Sequence, residues 1–155
     1  MEAPGPDPFV HDLQIGIALT PRPTSPGGIL ETAIYAADLP AAEVFYGDLL
    51  GLETVATVPG RHVFFRCGAG MLLVFDPNAT AQASASPVPP HGSHGPGHVC
   101  FAAEVSEIAA WRTKFLFENI EIDADIFWPN GARSLYIRDP AGNSVEFAEP
   151  RLWAS

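Results

Sequence analysis

Three side chains of the kind that bind divalent cations lie at matching points of two similar stretches of the chain. Glu31 opens the segment ETAIYAA, and His98 opens the matching segment HVCFAAE. Glu146 opens EFAEP near the end of the chain, which matches LVFDP at residues 73–77. Duplicated halves usually pack with pseudo-symmetry, so we expect these side chains to converge. One imidazole and two carboxylates suit Mn²⁺, Fe²⁺ or Mg²⁺, with Zn²⁺ and Ni²⁺ also compatible, and leave positions open for water and a bidentate substrate.

Both stretches predict the same order of elements, which is β-α-β-β-β. Asp38 is a good N-cap for a helix that ends near Gly51, and Ser106 is predicted to cap a second helix that runs to about Phe117. The buried side of the second helix is predicted to carry Ile108, Ala109, Trp111 and Phe115 or Leu116. The predicted strands are residues 29–36, 53–58, 62–67 and 71–75 in the first copy, and 98–105, 121–127, 133–138 and 144–148 in the second.

Side chains alternate across a strand, and this alternation puts the three candidate ligands on comparable faces. The faces that carry them are Glu31, Ala33 and Tyr35 on the first strand of the first copy, His98, Cys100 and Ala102 on the first strand of the second, and Ser144, Glu146 and Ala148 on its last strand. The opposite faces are more apolar and are expected to lie under the helices. The ligand-bearing faces are small or polar, so we predict that they line a concave cavity.

The composition excludes several classes of protein. A chain of 155 residues with 47% hydrophobic residues fits one globular domain. The net charge of −10 argues against a nucleic-acid partner, because phosphate backbones need a basic surface. No apolar run reaches the length of a membrane span, and no signal peptide is recognisable, so we expect a cytoplasmic protein. Cys67 and Cys100 lie in apolar segments and are predicted to be buried free thiols.

The segments outside the two copies have a different composition. Residues 1–28 are rich in proline and glycine and are predicted to be an extended arm, of which residues 13–19 are apolar enough to dock as a strand on a partner subunit. Residues 77–97 are predicted to be a flexible linker, because they lack periodicity. The copies themselves then span residues 29–76 and 98–150, with a short tail at residues 151–155.

Three stretches of the chain carry a resemblance to a known family. They are ILETAIYAADLPAAEVFYGDLLGLE at residues 29–53, GHVCFAAEV at 97–105 and GARSLYIRDPAGNSVEFAE at 131–149. The last is the most specific, since it joins a strand, the turn Asp-Pro-x-Gly-Asn and a strand that carries Glu146. In these features the chain resembles the vicinal oxygen chelate superfamily, which includes glyoxalase I, fosfomycin- and bleomycin-resistance proteins and extradiol dioxygenases. The resemblance implies an α+β fold of two βαβββ modules that form curved mixed sheets around a cleft.

The resemblance also implies how a metal would be held. In this family the ligands come from the first and last strands of the modules, and His98 and Glu146 stand at usual ligand positions. Glu31 stands where His or Gln is usual. Leu73 stands where glyoxalase I has a glutamate and cannot bind a metal, so the four-ligand pattern of glyoxalase I is incomplete.

Two functions from different classes follow from these residues. The first is a metal-dependent lyase, isomerase or dioxygenase that chelates adjacent oxygens of a small organic substrate, with metal ligands Glu31, His98 and Glu146 and with Glu31 and Tyr136 as catalytic residues. The second is a metal-free module that sequesters a ligand, as bleomycin-resistance proteins do; the acidic chain and Leu73 favour it. The resemblance implies a homodimer in either case, and it leaves open whether modules pair within a chain or across chains.

Further side chains are secondary candidates. One group lies on cleft-forming strands and has the chemistry to orient an oxyanion or a carboxylate: Tyr35, Arg66, Arg133, Ser134, Tyr136 and Arg138. A second group consists of aromatic side chains that could form the walls of an apolar pocket: Phe64, Phe65, Phe127 and Trp128. His91 and His94 are candidates for a lid or an acid–base group, with solvated loop histidines as the default interpretation. Asp139 and Asn143 are predicted to be structural members of the last turn.

Overall fold

A computed structural model describes residues 25–83 and 87–154 of the chain. These residues form two sheets of four strands, and each sheet has its own helix segment between its first and second strands. The strands are β1 (Glu31–Tyr35), β2 (Glu53–Val58), β3 (His62–Cys67), β4 (Gly70–Phe75), β5 (His98–Ala102), β6 (Ala124–Phe127), β7 (Arg133–Arg138) and β8 (Ser144–Ala148). The helices are α1 (Leu39–Glu43), which continues as a π-helix (Val44–Leu49), α2 (Pro77–Ala81), α3 (Val105–Phe117) and a final 3₁₀ turn (Pro150–Trp153).

The two sheets have the same topology. Their strand orders are β1-β4-β3-β2 and β5-β8-β7-β6, with the first pair parallel in each sheet and the others antiparallel. The register also repeats, since Ala33 lies opposite Leu73 in the first sheet and Cys100 opposite Glu146 in the second. The predicted α+β fold of two βαβββ modules is therefore confirmed, and the sheets are open rather than closed into barrels.

The helix in the first module begins where its sequence predicts and then changes character. The Asp38 carboxylate accepts a hydrogen bond of 2.9 Å from the backbone N–H of Ala41, and Pro40 lies in the first turn. The single predicted helix is divided, because the chain passes into the π-helix after Glu43. Gly51 follows with φ of +74°, a conformation that glycine adopts without strain, and it ends the helical segment.

The helix in the second module differs from its prediction at the N-terminus. Ser106 lies inside α3 rather than at its cap, and Glu104 is the N-cap residue. Glu107 explains the shift, because its carboxylate accepts a hydrogen bond of 2.7 Å from the Glu104 N–H, a donor that the helix leaves free. On the packed side, Ile108 and Phe115 are fully buried and Trp111 is partly buried. Ala109 is exposed, so its predicted burial is wrong, and of the alternatives Phe115 and Leu116 it is Phe115 that is buried.

One core joins the helix sides of both sheets. Its largest fully buried side chains include Tyr46, Phe65 and Leu72 from the first module and Phe115, Leu135 and Ile137 from the second. The β strands contribute alternate residues to this core, which leaves their other faces free to line concave surfaces. The arrangement fixes the concave face of each sheet on the side away from the helices.

A hydrogen-bonded turn attaches the two modules to each other. Tyr46 from the π-helix donates its hydroxyl to Asp139 at 2.8 Å, and both groups are buried. Asn143 donates from its side-chain amide to the Tyr35 carbonyl at 3.0 Å and accepts from the Gly97 N–H at 2.7 Å. The structural role predicted for Asp139 and Asn143 is confirmed, and the turn fixes the chain where β5 starts.

The structure describes only part of the segments outside the two modules. The predicted arm lies mostly outside the described residues, as does the strand predicted at 13–19. Helix α2 lies within the range predicted as a linker, and Asp76 caps it by accepting from the N–H groups of Asn78 and Ala79. None of the helices in the described ranges is long and apolar enough to cross a membrane.

Candidate metal centre

His98 and Glu146 meet on the concave face of the second module. They lie on the neighbouring strands β5 and β8, and His98 Nε2 is 3.3 Å from Glu146 Oε2. The other imidazole nitrogen, Nδ1, donates to the Ser144 carbonyl at 3.1 Å, since a carbonyl can only accept. In the neutral ring, Nε2 therefore presents a lone pair to a carboxylate oxygen. Two acceptors at this distance need a positive charge between them, which is either a proton or a cation.

The geometry of this pair fits a metal ion. Donor atoms bound at roughly 2.0–2.2 Å on one ion lie about as far apart as Nε2 and Oε2 do here. A backbone carbonyl on the far nitrogen of a ligating imidazole is a common way to fix its tautomer and orientation. An imidazole and a carboxylate are also the donor types that Mn²⁺, Fe²⁺, Zn²⁺ and Ni²⁺ accept.

Glu146 is buried without enough partners for a charged group. Its residue exposure is 5%, and Oε1 has no hydrogen-bond partner among the described residues. Burying a carboxylate is unfavourable unless hydrogen bonds or a cation compensate its charge. Glu149 provides the contrast, because it is equally buried but its oxygens accept from the Arg133 N–H and the Arg151 guanidinium. The unpartnered oxygen of Glu146 is the observation in this structure that indicates a bound cation.

Two neutral protic groups flank the Glu146 carboxylate. Cys100 on β5 and Tyr136 on β7 are its cross-strand neighbours. Partial desolvation by neighbouring side chains, and after it the nearby Glu146, raises the pKa of the Cys100 thiol to about 12 and the pKa of the Tyr136 hydroxyl to about 12. Both groups therefore stay protonated at neutral pH and add no charge to the site. Cys100 is exposed on the concave face, so its predicted burial is wrong.

Tyr136 is held by its neighbours in an orientation that faces the site. Its ring stacks towards His98 with centroids 6.4 Å apart. Ser134, two residues earlier on the same strand face, is fully buried and accepts a hydrogen bond of 2.8 Å from Trp128 Nε1. Ser134 and Tyr136 therefore share the strand face that carries the site, and the Ser134 hydroxyl is occupied by Trp128.

Glu31 does not join this pair within one chain. It is exposed on β1, opposite Met71, and borders the cavity of the first module. Within residues 25–83 and 87–154, no group of three or more His, Cys, Asp or Glu side chains is arranged to hold a metal ion. The structure therefore brings together two of the three predicted ligands, and the expected convergence of all three inside one chain is not formed.

The concave face of the first module is apolar where the second is polar. Leu73 and Phe75 form its floor, and Phe64, His62 and Tyr35 rise around them. His91 lines this cavity with its Nδ1 2.9 Å from the Tyr35 hydroxyl, whereas His94 lies in a separate crevice near Asp38. His62 was not predicted from the sequence; its two-residue spacing from Phe64 on β3 is the signal that places both on one face.

The remaining candidates are engaged in ion pairs, packed in the core or exposed at the surface. The three arginines form ion pairs, Arg66 with Glu53 and Arg138 with Asp123 at exposed positions, and Arg133 with Asp125 at a partly buried one. Phe65 belongs to the core and Phe127 is 69% exposed. These residues have the structural or surface roles that their positions in strands favour.

Comparison with known proteins gives one family. The model of the glyoxalase/bleomycin resistance protein/dioxygenase superfamily matches residues 28–147. The crystal structure of lactoylglutathione lyase from Agrobacterium tumefaciens is 50% identical, with a TM-score of 0.83, and the match covers 85% of this chain and 100% of that one. A glyoxalase/bleomycin resistance protein/dioxygenase from Nocardioides is 22% identical, with a TM-score of 0.65 and coverage of 83% and 86%, and shows the fold alone. A search of curated proteins gives no match.

Proposed function

The chain belongs to the glyoxalase/bleomycin resistance protein/dioxygenase superfamily, and on that premise we propose that it is a metal-dependent enzyme acting on adjacent oxygens of a small organic substrate. The half-identical relative is a lactoylglutathione lyase, which supports a lyase or isomerase reaction over oxygen-dependent ring cleavage. The observation that carries the proposal is the buried Glu146 carboxylate, with one oxygen unpartnered and the other 3.3 Å from His98 Nε2.

His98 and Glu146 are the residues of this chain that would hold the ion. A divalent metal supplies Lewis-acid stabilisation of a developing oxyanion when it is bound. Tyr136 would orient the substrate, since its protonated hydroxyl borders the same face and is able to donate to a substrate oxygen. Glu31 has no hydrogen bond or ion pair within the described residues, so its carboxylate is free to act as a ligand or to take up and return a proton.

We propose that Glu31 reaches the site from a second copy of the chain. The described residues of one chain form no three-residue metal-binding group, which supports this arrangement, because a homodimer related by two-fold symmetry would complete two equal sites. A mixing experiment tests it. Glu31→Ala and His98→Ala proteins, each unable to bind metal alone, should regain binding at about a quarter of the sites when they are unfolded and refolded together, because about half of the dimers are then mixed and each mixed dimer has one intact site. If Glu31 acts within its own chain, the mixture binds no more metal than its components do.

The metal itself is tested by elemental analysis of protein purified without a metal-affinity tag. Stoichiometric metal is expected in the unaltered protein, and His98→Ala and Glu146→Gln should each abolish it. Glu149→Gln is the matched control, because Glu149 is as buried as Glu146 but has protein partners for both oxygens. Metal that survives in both ligand variants would contradict the proposal. Absence of metal at any concentration in the unaltered protein would instead favour a metal-free binding module.

A further inference from the structure

The concave face of the first module encloses a cavity that metal binding alone does not explain. Its volume is about 660 Å³, which falls within the roughly 300–1,000 Å³ of small-molecule pockets. Glu31 lies on its wall, so the cavity adjoins the metal position proposed above. The other side chains that line it are mainly aromatic or apolar: Tyr35, His62, Phe64, Met71, Leu73, Phe75, Val88 and His91.

The rings of this cavity are arranged around Phe75. The planes of Phe64, His62 and His91 make angles of 75°, 76° and 78° with the plane of Phe75, at centroid distances of 5.2, 5.8 and 4.6 Å. His62 and Phe64 are nearly parallel, with an interplanar angle of 11° and centroids 4.0 Å apart. Aromatic pairs favour such edge-to-face and offset-stacked contacts, so the cavity presents both kinds of contact surface to an incoming ring.

His91 fixes the side of the cavity opposite the strands. Its backbone N–H donates to the Thr80 carbonyl at 3.0 Å, which attaches it to the end of α2. Its Nδ1 lies 2.9 Å from the hydroxyl of Tyr35, which stands on the same face of β1 as Glu31. The segment between the modules therefore supplies a wall whose position is set before any ligand arrives.

The charges around the cavity favour a neutral occupant. Burial, followed by the charge of Arg61, lowers the pKa of His62, so its ring is neutral at neutral pH. Arg61 is the cationic side chain among the lining residues, and its guanidinium donates to the Ala79 carbonyl at 3.1 Å. A fixed guanidinium beside the aromatic wall opposes a cationic group there, although aromatic cages can otherwise bind cations, and the Glu31 carboxylate on the same lining opposes an anionic group.

We infer that this cavity is the specificity subsite for a flat, uncharged aromatic group on the substrate. The aromatic group would lie against the His62–Phe64 wall and the Phe75 floor, with the chelating oxygens directed towards Glu31. The inference rests on the proposed function, since it assigns the part of the substrate that the metal does not hold. It also predicts that substrates with an aliphatic group at this position bind more weakly.

Two hydroxamates with the same chelating head test the subsite. Binding of benzohydroxamate and acetohydroxamate to the Zn²⁺-loaded protein is measured by calorimetry. The phenyl compound should bind about tenfold more tightly, as expected for one good aromatic contact beyond simple area burial. Phe64→Leu and His62→Leu should each remove most of this preference and leave the affinity for acetohydroxamate unchanged. Phe117→Leu, a change at an aromatic side chain that is 86% exposed, should keep the preference.

A second measurement reads the cavity without metal. Benzyl alcohol is added to the metal-free protein, and NMR should show intermolecular contacts to the Phe64 ring and the Met71 methyl group. Equal affinity for the two hydroxamates, or a preference that survives in both leucine variants, would overturn the inference while metal binding stands. If the protein retains no Zn²⁺, the proposed function fails, and the benzyl alcohol contacts decide the inference: their presence supports it and their absence overturns it.

Discussion

The two modules are built alike and differ in what covers the floor of the sheet. At three equivalent positions the first module has Ala33, Leu73 and Phe64, and the second has Cys100, Glu146 and Tyr136. The registers of the strands are the same, so the fold does not dictate the polarity of this floor. An apolar floor satisfies the sheet without further partners, whereas a buried carboxylate is unfavourable and needs a cation. We therefore regard the polar floor as the part of the molecule shaped by function.

The largest expected effect on stability comes from placing a carboxylate in the first module at the position equivalent to Glu146 of the second. Leu73→Glu would place an unpaired carboxylate at a position that is 8% exposed and surrounded by aromatic rings. We expect the free energy of unfolding to fall by about 3 kcal/mol. Urea denaturation measures it, with Leu73→Met as the control, since that change keeps the volume and should lower stability by about 1 kcal/mol or less. A Leu73→Glu protein as stable as its parent would show that this floor tolerates charge.

The second largest effect is expected at the hydrogen bond that attaches the two modules to each other. Tyr46→Phe removes the hydroxyl that donates to Asp139, and both groups are buried. The pKa of Tyr46 lies far above its usual value because of burial and the nearby carboxylate, so the hydroxyl is a donor at every accessible pH. We expect a loss of about 2 kcal/mol in the free energy of unfolding. Tyr136→Phe, which changes a half-buried phenol, should have a much smaller effect in the metal-free protein.

The reverse exchange sharpens the comparison. Glu146→Leu gives the second module an apolar floor and removes the unpartnered carboxylate oxygen. In the metal-free protein we expect the free energy of unfolding to rise by about 1 kcal/mol, because an uncompensated buried charge is replaced by packing. The same variant should bind no metal. Glu149→Leu should instead destabilise the protein, because it leaves the Arg133 N–H and the Arg151 guanidinium without their acceptor. If Glu146→Leu also loses stability, the two glutamates do not differ in the way proposed.

The smallest effect concerns the two thiols, one in each module. Partial burial raises the pKa of Cys67, and partial desolvation of the thiol together with the nearby Glu146 raises the pKa of Cys100 to about 12. Thiolate is the reactive form, so both should react slowly with iodoacetamide at pH 8 in the metal-free protein, and faster as the pH rises. Glu146→Gln should accelerate Cys100 severalfold and leave Cys67 unchanged, as peptide mass spectrometry would show. Equal acceleration of both thiols would mean that the variant has loosened the whole fold.

Much of the fold is predictable from local sequence signals. Turn residues such as Pro59, Gly60 and Gly142 bound the strands, and four strands, β2, β3, β7 and β8, begin and end at the predicted residues. The division of the first helix and the capping by Glu104 differ from the prediction, because a π-helical turn has no distinctive local pattern and glutamate is not a preferred N-cap residue. Cys100 was misjudged for another reason: an apolar stretch does not reveal which face of a strand is buried.

The site divides in the same way. Strand alternation puts His98 and Glu146 on one face, and the pairing of β5 with β8 makes them neighbours. Glu31 depends instead on how two modules are placed relative to each other, and that placement is set by packing between elements far apart in the chain. His62 shares a strand face with Phe64 because of their two-residue spacing, whereas His91 joins the cavity from a connecting segment through its contact with Tyr35, for which sequence spacing gives no measure.

Anomalous X-ray scattering from crystals of the metal-loaded protein tests the central claim most directly. The account predicts one strong peak per chain within roughly 2.0–2.3 Å of His98 Nε2 and of a Glu146 carboxylate oxygen. It further predicts that the carboxylate of Glu31 from a second copy completes the coordination. A peak bound elsewhere, or none beside these two side chains in crystals soaked with excess Zn²⁺ or Mn²⁺, would contradict the account.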